Sequence, residues 1–261
     1  MNEHNIAIIG CGNLGTSILN GLLTSDYYSN ESITVTRRKV ASLEKYRAQG
    51  VHVTMENKAA VQQSDILLVG LKPFKILEVL GELKPHLTKD KIIVSLATGI
   101  TISQIEEVVG KEMSVYRAMP NTAADVKESL TCICANHSIS ESDEVTQIFN
   151  SVGESIVIEE GLMEAATVLG ACGIAYVLRF IRGMIQGGIE IGFSAKVATD
   201  IVTQTVKGAS ELLIQNETHP EAEIDKVTTP RGCTIAGLNE MEHNGFSSAL
   251  IKGIVTSFEK I

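Results

Sequence analysis

The sequence predicts a chain of the α/β class: a parallel sheet with helices on both faces, followed by an all-helical segment. Three observations carry that prediction. Short β-branched runs alternate with helix-period stretches up to about residue 160, the pattern of βαβ units. A glycine-rich turn separates the first strand from the first helix. Strand signals then stop, and long stretches rich in Ala, Gly, Ile and Val follow. The 261 residues suffice for two medium domains, 1–160 and 161–261.

The elements follow in order. Residues 6–9, 33–36, 66–71, 92–96 and 114–117 read as strands, because β-branched and apolar residues dominate each run. Helical periodicity places helices at about 14–23, 40–49, 74–83 and 102–109. Residues 130–135 and 155–158 read as further strands, with a helix at 143–150 between them. Long helices are expected at 163–192 and 195–214, and shorter ones at 234–243 and 247–259. Gly183, Gly187, Gly188 and Gly192 lie close together on the first long helix, where small residues let another helix approach. This helical part is unusually apolar for a surface layer, so it is expected to pack against a second subunit.

Composition narrows the partners. Hydrophobic residues make up 44% and charged residues 20% of the chain, as in a folded soluble protein. The net charge of −9 argues against nucleic acid, which needs a basic surface. The start, Met-Asn-Glu-His-Asn, lacks the basic and apolar regions of a signal peptide. The longest uncharged run, 165–178, is too short to span a bilayer, so no membrane association is expected. Cys11, Cys132, Cys134, Cys172 and Cys233 form no CxxC pair and no metal spacing. They read as reduced thiols of a cytoplasmic protein without a metal site.

The first strand runs into Gly10-Cys-Gly-Asn-Leu-Gly15 and then a helix. This is the GxGxxG fingerprint of a Rossmann-type dinucleotide-binding domain in its strand–turn–helix setting. Gly10 makes the tight turn, Gly12 lets backbone approach a pyrophosphate, and Gly15 lets helix pack on strand. Asn13 and Leu14 complete the cofactor-binding turn. The end of the second strand selects the cofactor. An NAD site places a carboxylate there for the ribose 2′-hydroxyl. This chain has Thr36-Arg37-Arg38-Lys39 instead. Guanidinium groups suit a 2′-phosphate, so Arg37 and Arg38 predict NADP(H).

Residues 225–238, Asp-Lys-Val-Thr-Thr-Pro-Arg-Gly-Cys-Thr-Ile-Ala-Gly-Leu, form a turn-rich segment entering a helix. Thr229, Gly232, Cys233 and Thr234 crowd that helix start. Backbone N–H groups and the positive dipole end suit a small carboxylate. A threonine there also serves as an ordinary cap. A carboxylate site and a dinucleotide site together point to a reductase of a small acid.

Several segments together resemble the pyrroline-5-carboxylate reductase family. Beside the glycine turn, Val69-Gly-Leu-Lys-Pro73 and Ser95-Leu-Ala-Thr-Gly-Ile-Thr101 match family segments. So do Arg117-Ala-Met-Pro-Asn-Thr122, the stretch from Glu164 to Tyr176, and His219-Pro220 with residues 225–237. The resemblance spans nearly the whole chain, and its C-terminal signature is the most specific part. It implies a Rossmann domain followed by a helical domain that builds an interlocked homodimer or a larger homo-oligomer. It also implies reduction of the cyclic imine acid 1-pyrroline-5-carboxylate to L-proline. On matching positions, Asn57, Lys72, Pro73, Ala97 and Asn121 would line the cofactor cleft. Thr229, Gly232, Cys233 and Thr234 would hold the substrate carboxylate, with Thr234, or a water it positions, relaying the proton.

The chain departs from the family pattern at several places. Arg231 stands where the family has glycine, and it carries strain if the backbone there needs positive φ. Gly170 and Cys172 each replace a serine. Ile174 replaces a proline, which would kink the helix and free a carbonyl. These changes touch the substrate more than the cofactor. They leave room for a related NADPH imine or keto-acid reductase with a reshaped pocket, or for a low-turnover NADP-binding regulatory paralogue.

Overall fold

The structure, a computed structural model, describes residues 4–140 and 142–261; the first three residues of the expected non-signal start lie outside the described residues. The chain divides into two compact units, residues up to Cys172 and residues Gly173–Lys260.

The first unit is built on an eight-stranded sheet. Its strands are β1 (Ile6–Ile9), β2 (Ile33–Thr36), β3 (His52–Thr54), β4 (Ile66–Val69), β5 (Ile92–Ser95), β6 (Ser114–Met119), β7 (Ser129–Ala135) and β8 (Gly153–Val157). They lie in the order β3-β2-β1-β4-β5-β6-β7-β8. Strands β1 to β6 are mutually parallel. This is the doubly wound order, which reverses between β1 and β4. The Ile-Ala-Ile-Ile run of β1 and the Ile-Leu-Leu-Val run of β4 are wholly buried, as strands covered on both faces require.

Side-chain alternation splits the core in two. Ile6, Ile8, Ile33, Val35 and Leu68 join one cluster beneath α1 (Asn13–Leu23) and α6 (Glu144–Asn150). Ala7, Ile9, Leu67, Val69 and Ile93 join the other, with α3 (Asn57–Gln62), α4 (Pro73–Leu83) and α5 (Ile102–Val109). Strand β7, the further strand read at 130–135, runs antiparallel to β6. The 120–128 connection has no α-helix, and a parallel return needs a crossover of roughly a dozen residues or more.

Local differences from the sequence reading have visible causes. The expected helix at 40–49 is a 3-10 turn, Val40–Ser42, followed by the short α2 (Glu44–Arg47). The segment bends to bury both Leu43 and Tyr46, and the Tyr46 hydroxyl donates to Asn20 Oδ1 at 2.7 Å. Strand β3 and helix α3 were not expected, because three and six residues give too little periodicity to read. The expected helix at 163–192 comprises α7 (Met163–Ala166), a π-helical stretch Thr167–Cys172, and α8 (Gly173–Glu190). Residues 160–172 belong with the sheet, where Met163, Thr167 and Val168 are buried.

The second unit contains α8, α9 (Ala195–Asn216), α10 (Pro220–Val227), α11 (Cys233–His243) and α12 (Phe246–Phe258). Helix α10 takes in residues 225–227, which the sequence suggested were turn. Pro220 at its first position and the His219 Nδ1 cap, accepting from the Glu221 N–H at 3.2 Å, start it. Of the glycines on α8, Gly188 makes a close approach: a methyl group there would lie 3.1 Å from Ala198 Cβ of α9. A methyl group on Gly183 or Gly187 would meet no atom of the described residues beyond its own helix backbone within 4 Å. Among the described residues of this unit, only Ala198 and Val202 are buried. Tyr176, Phe180, Met184, Phe246 and Leu250 instead line an apolar hollow of about 760 Å³. By length and composition, though not by its uncharged run, the stretch Glu160–Glu190 could cross a membrane.

Candidate active site

Six parallel strands place their C-terminal ends at one edge of the sheet, and every predicted cofactor residue lies there. Gly10 to Gly15 follow β1, Arg37 and Arg38 follow β2, and Asn57 follows β3. Lys72 and Pro73 follow β4, Ala97 follows β5 and Asn121 follows β6.

The glycine turn is shaped by sterics. Gly10 has φ +82°, and a Cβ there would lie 2.5 Å from Leu71 Cδ2. Gly15 would bring a Cβ to 3.1 Å from Ile8 Cγ2, so it sets the close packing of α1 on β1. Gly12 differs: an added Cβ meets only the Gly10 carbonyl, at 3.9 Å. The space above Gly12 is therefore open, as a pyrophosphate needs. Gly12 is also the N-cap of α1, which has no side-chain cap, so the helix dipole and first N–H groups face that space through Asn13 and Leu14. Thr36 braces the turn. Its Oγ1 accepts from the Gly10 N–H at 3.1 Å, and its carbonyl accepts from the Cys11 N–H at 2.7 Å. Sequence reasoning missed this role; the signal was a buried hydroxyl residue at the end of β2.

Arg37 donates from Nη1 to Ser42 Oγ at 2.9 Å, and its charge acts on the Cys11 thiol of the glycine turn. Burial nonetheless pushes that thiol up from its ordinary range. Arg38 and Lys39 are exposed. Among the described residues, neither arginine forms a salt bridge. The pair therefore offers positive charge with no carboxylate competing for it.

The other positions are of two kinds. Asn57 opens α3 half-buried, while Lys72 is the exposed N-cap of α4 and Pro73 its first residue. Ala97 and Asn121 are buried. The Ala97 N–H donates to Ser95 Oγ at 3.3 Å. Asn121 Oδ1 accepts from the Ala123 N–H at 2.9 Å, and Nδ2 donates to the Gly170 carbonyl at 3.2 Å. Asn121 thus ties the end of β6 to the π-helical stretch. Ile174 brings no proline kink; the helix widens over Thr167–Cys172, and the Gly170 carbonyl accepts from Asn121.

In the second unit, residues 229–232 form a tight turn. The Gly232 N–H donates to the Thr229 carbonyl at 2.9 Å, Pro230 takes the second position, and Arg231 at the third has φ +61°. Proline followed by positive φ is the signature of a type II turn, whose third position favours glycine. The strain anticipated for Arg231 is present. A Cβ on Gly232 would lie 2.5 Å from Thr229 Oγ1, so the turn also needs glycine there. Gly232 is the N-cap of α11 and supplies no side-chain cap. The expected threonine capping does not occur, and the N–H groups near Cys233 and Thr234 are left for another acceptor. Cys233 and Thr234 are exposed. Among the described residues, no His, Cys, Asp and Glu cluster suited to a metal is found.

Comparison with known proteins converges on one family. Residues 160–261 match the family model described as pyrroline-5-carboxylate reductase dimerisation. Residues 5–99 match NADP oxidoreductase, coenzyme F420-dependent. Pyrroline-5-carboxylate reductase 2 of Dictyostelium discoideum is 44% identical over 99% of this chain and 92% of its own length. Pyrroline-5-carboxylate reductase 1 of the same organism is also 44% identical over 99% of this chain, which spans about half of that relative, 49%. The crystal structure of Plasmodium falciparum pyrroline carboxylate reductase with NADP bound superposes with a TM-score of 0.91 at 28% identity, covering 100% of this chain and 97% of that one. With its doubly wound sheet, its open glycine turn and these full-length matches, the chain belongs to the pyrroline-5-carboxylate reductase family.

Proposed function

We propose that this protein reduces 1-pyrroline-5-carboxylate to L-proline with NADPH, the last step of proline synthesis. The observation that carries the reading is 44% identity, over 99% of this chain and 92% of the relative, to a pyrroline-5-carboxylate reductase. The residues fit the cofactor. The open space above Gly12 accepts a pyrophosphate, and Arg37 and Arg38 accept a 2′-phosphate where a carboxylate would repel it. When bound, NADPH supplies the hydride for the imine carbon. By the logic of the fold, the residues after β1–β3 would hold its adenosine half and those after β4–β6 its nicotinamide half.

The chain's own part is orientation. A protonated cyclic imine is already a good hydride acceptor, so holding it in line is the main task. The Thr229–Thr234 turn and the uncapped start of α11 hold the substrate carboxylate through N–H groups and hydroxyls. Thr234, or a water it positions, delivers the proton that ends on nitrogen. Arg231 adds a cation beside this site, suited to a second acidic group rather than to the single carboxylate of 1-pyrroline-5-carboxylate.

The roles divide near residue 160, where the dimerisation match begins, although 160–172 pack with the sheet. Residues 161–261 build a homodimer or larger homo-oligomer. With only Ala198 and Val202 buried, the second unit lacks a core that one chain can supply. A second subunit, rather than lipid, covers the exposed apolar residues of α8. Five free thiols fit a cytoplasmic location. The test is incubation with NADPH and 1-pyrroline-5-carboxylate, with L-proline quantified against NADPH consumed. Equal molar amounts support the reading; imine-independent oxidation or an absence of proline refutes it.

A further inference from the structure

Arg117 takes no part in the chemistry described above, yet among the described residues it heads the largest fully buried side chains. It lies on β6 beside Ser95, the last residue of β5, so it sits at the C-terminal edge of the sheet. Its Nη1 donates to Glu160 Oε1 at 3.1 Å and its Nη2 to Glu164 Oε1 at 2.8 Å. Glu160 Oε1 also accepts from the Ile102 N–H at 2.7 Å, where the loop carrying Ala97 enters α5. Glu164 lies in α7, one turn before the π-helical stretch whose Gly170 carbonyl accepts from Asn121. One guanidinium therefore connects the loop after β5, strand β6, and the helix that anchors Asn121.

A buried arginine paired with two partly exposed carboxylates is weak evidence of stability, because desolvation offsets much of the attraction. Among the described residues, the Nε of Arg117 has no hydrogen-bond partner. An apolar residue on β6 would fill this volume without that cost. What the arginine does supply is a fixed, forked geometry joining two carboxylates on different turns. The elements so fixed, the 96–101 loop and the 121–170 contact, border the half of the sheet assigned above to the nicotinamide.

We infer that Arg117, through Glu160 and Glu164, is a positioning residue that sets the loop after β5 and the π-helical stretch to receive the nicotinamide half of NADPH. The adenosine half, held by the glycine turn and the arginines after β2, lies outside its reach. The inference rests on the NADPH reading of the preceding section.

The experiment measures binding of NADPH, by its fluorescence, and of 2′,5′-ADP, by competition, to the full-length protein and to Arg117→Lys, Glu164→Ala and Glu164→Gln. A lysine ammonium cannot fork to both carboxylates. In Arg117→Lys and Glu164→Ala, NADPH affinity should fall about tenfold while 2′,5′-ADP affinity stays within about twofold. Glu164→Gln keeps an acceptor for Nη2 and should restore most of the NADPH affinity. Equal loss for both ligands, or no loss for either, would overturn the inference, since a merely structural network does not distinguish the two halves. Should Arg117→Lys fail to fold, the Glu164 pair decides alone. Wild-type protein that binds NADPH but leaves the imine untouched would refute the proposed reaction without touching this result. Wild-type protein that binds 2′,5′-ADP but gains nothing from the nicotinamide half would overturn the inference directly.

Discussion

Replacing Arg231 by glycine should stabilise the protein. Arg231 has φ +61° at the third position of the 229–232 turn. An L-residue in that left-handed region costs roughly 1–2 kcal/mol. Glycine removes that cost but gains freedom in the unfolded chain, which returns about 0.4–1 kcal/mol. Among the described residues, Arg231 has no hydrogen bond or salt bridge in the chain that the change would forfeit. Taking the midpoint of each range, the net gain is about 0.8 kcal/mol. For a chain of this size that corresponds to a rise in Tm of about 1–4 °C. Thermal unfolding of both proteins at the same protomer concentration measures it, since assembly shifts the midpoint. The reasoning also expects turnover of 1-pyrroline-5-carboxylate to be kept or improved, because glycine fits the turn better. A lower Tm would refute the strain argument. A higher Tm with lost turnover would show that the guanidinium itself serves the substrate.

Four further outcomes follow from the same structure. Arg37→Ala should erase most of the preference for NADPH over NADH, about tenfold to a hundredfold in Kd, because a charge-assisted pair to phosphate is worth about 1.5–3 kcal/mol; equal binding of both by the unmodified protein would contradict this. Thr234→Ala should raise KM with little change in kcat if its hydroxyl only assists binding, and lower kcat by up to about 10²-fold if it relays the proton, which steady-state kinetics separates. Gly21→Ala, tested by urea unfolding, should destabilise by about 1–3 kcal/mol, since the methyl would press on the Ala124 carbonyl and on Val152. Burial holds Cys11, Cys132 and Cys134 as neutral thiols, with Cys134 pushed up to about 11, so iodoacetamide at pH 8 should leave all three unmodified in the native protein by peptide mapping.

Much of the fold was legible because the central strands are unmixed. Ile6–Ile9 and Ile66–Val69 are apolar throughout, as only strands covered on both faces can be. The glycine turn was legible because its spacing encodes steric demands that the structure displays at Gly10 and Gly15. Features set by contacts distant in sequence were not legible. The reversal of β7 depends on a short connection through Lys127, at φ +60°, which has no glycine to announce it. The π-helical widening at Thr167–Cys172 occurs without proline. Thr36 and Arg117 acquire their roles from partners up to 47 residues away. The candidate substrate turn was readable as a turn, but its strain at Arg231 depends on a backbone angle that no composition reveals.

The central claim is that this chain moves a hydride from NADPH onto the imine carbon of 1-pyrroline-5-carboxylate. Incubation with 1-pyrroline-5-carboxylate and NADPH deuterated at the transferring position of the nicotinamide tests it most directly, with the product analysed by mass spectrometry. The account predicts L-proline carrying a single deuterium on the carbon next to nitrogen that was the imine carbon. Unlabelled proline, or NADPH consumed with no proline formed, would contradict it.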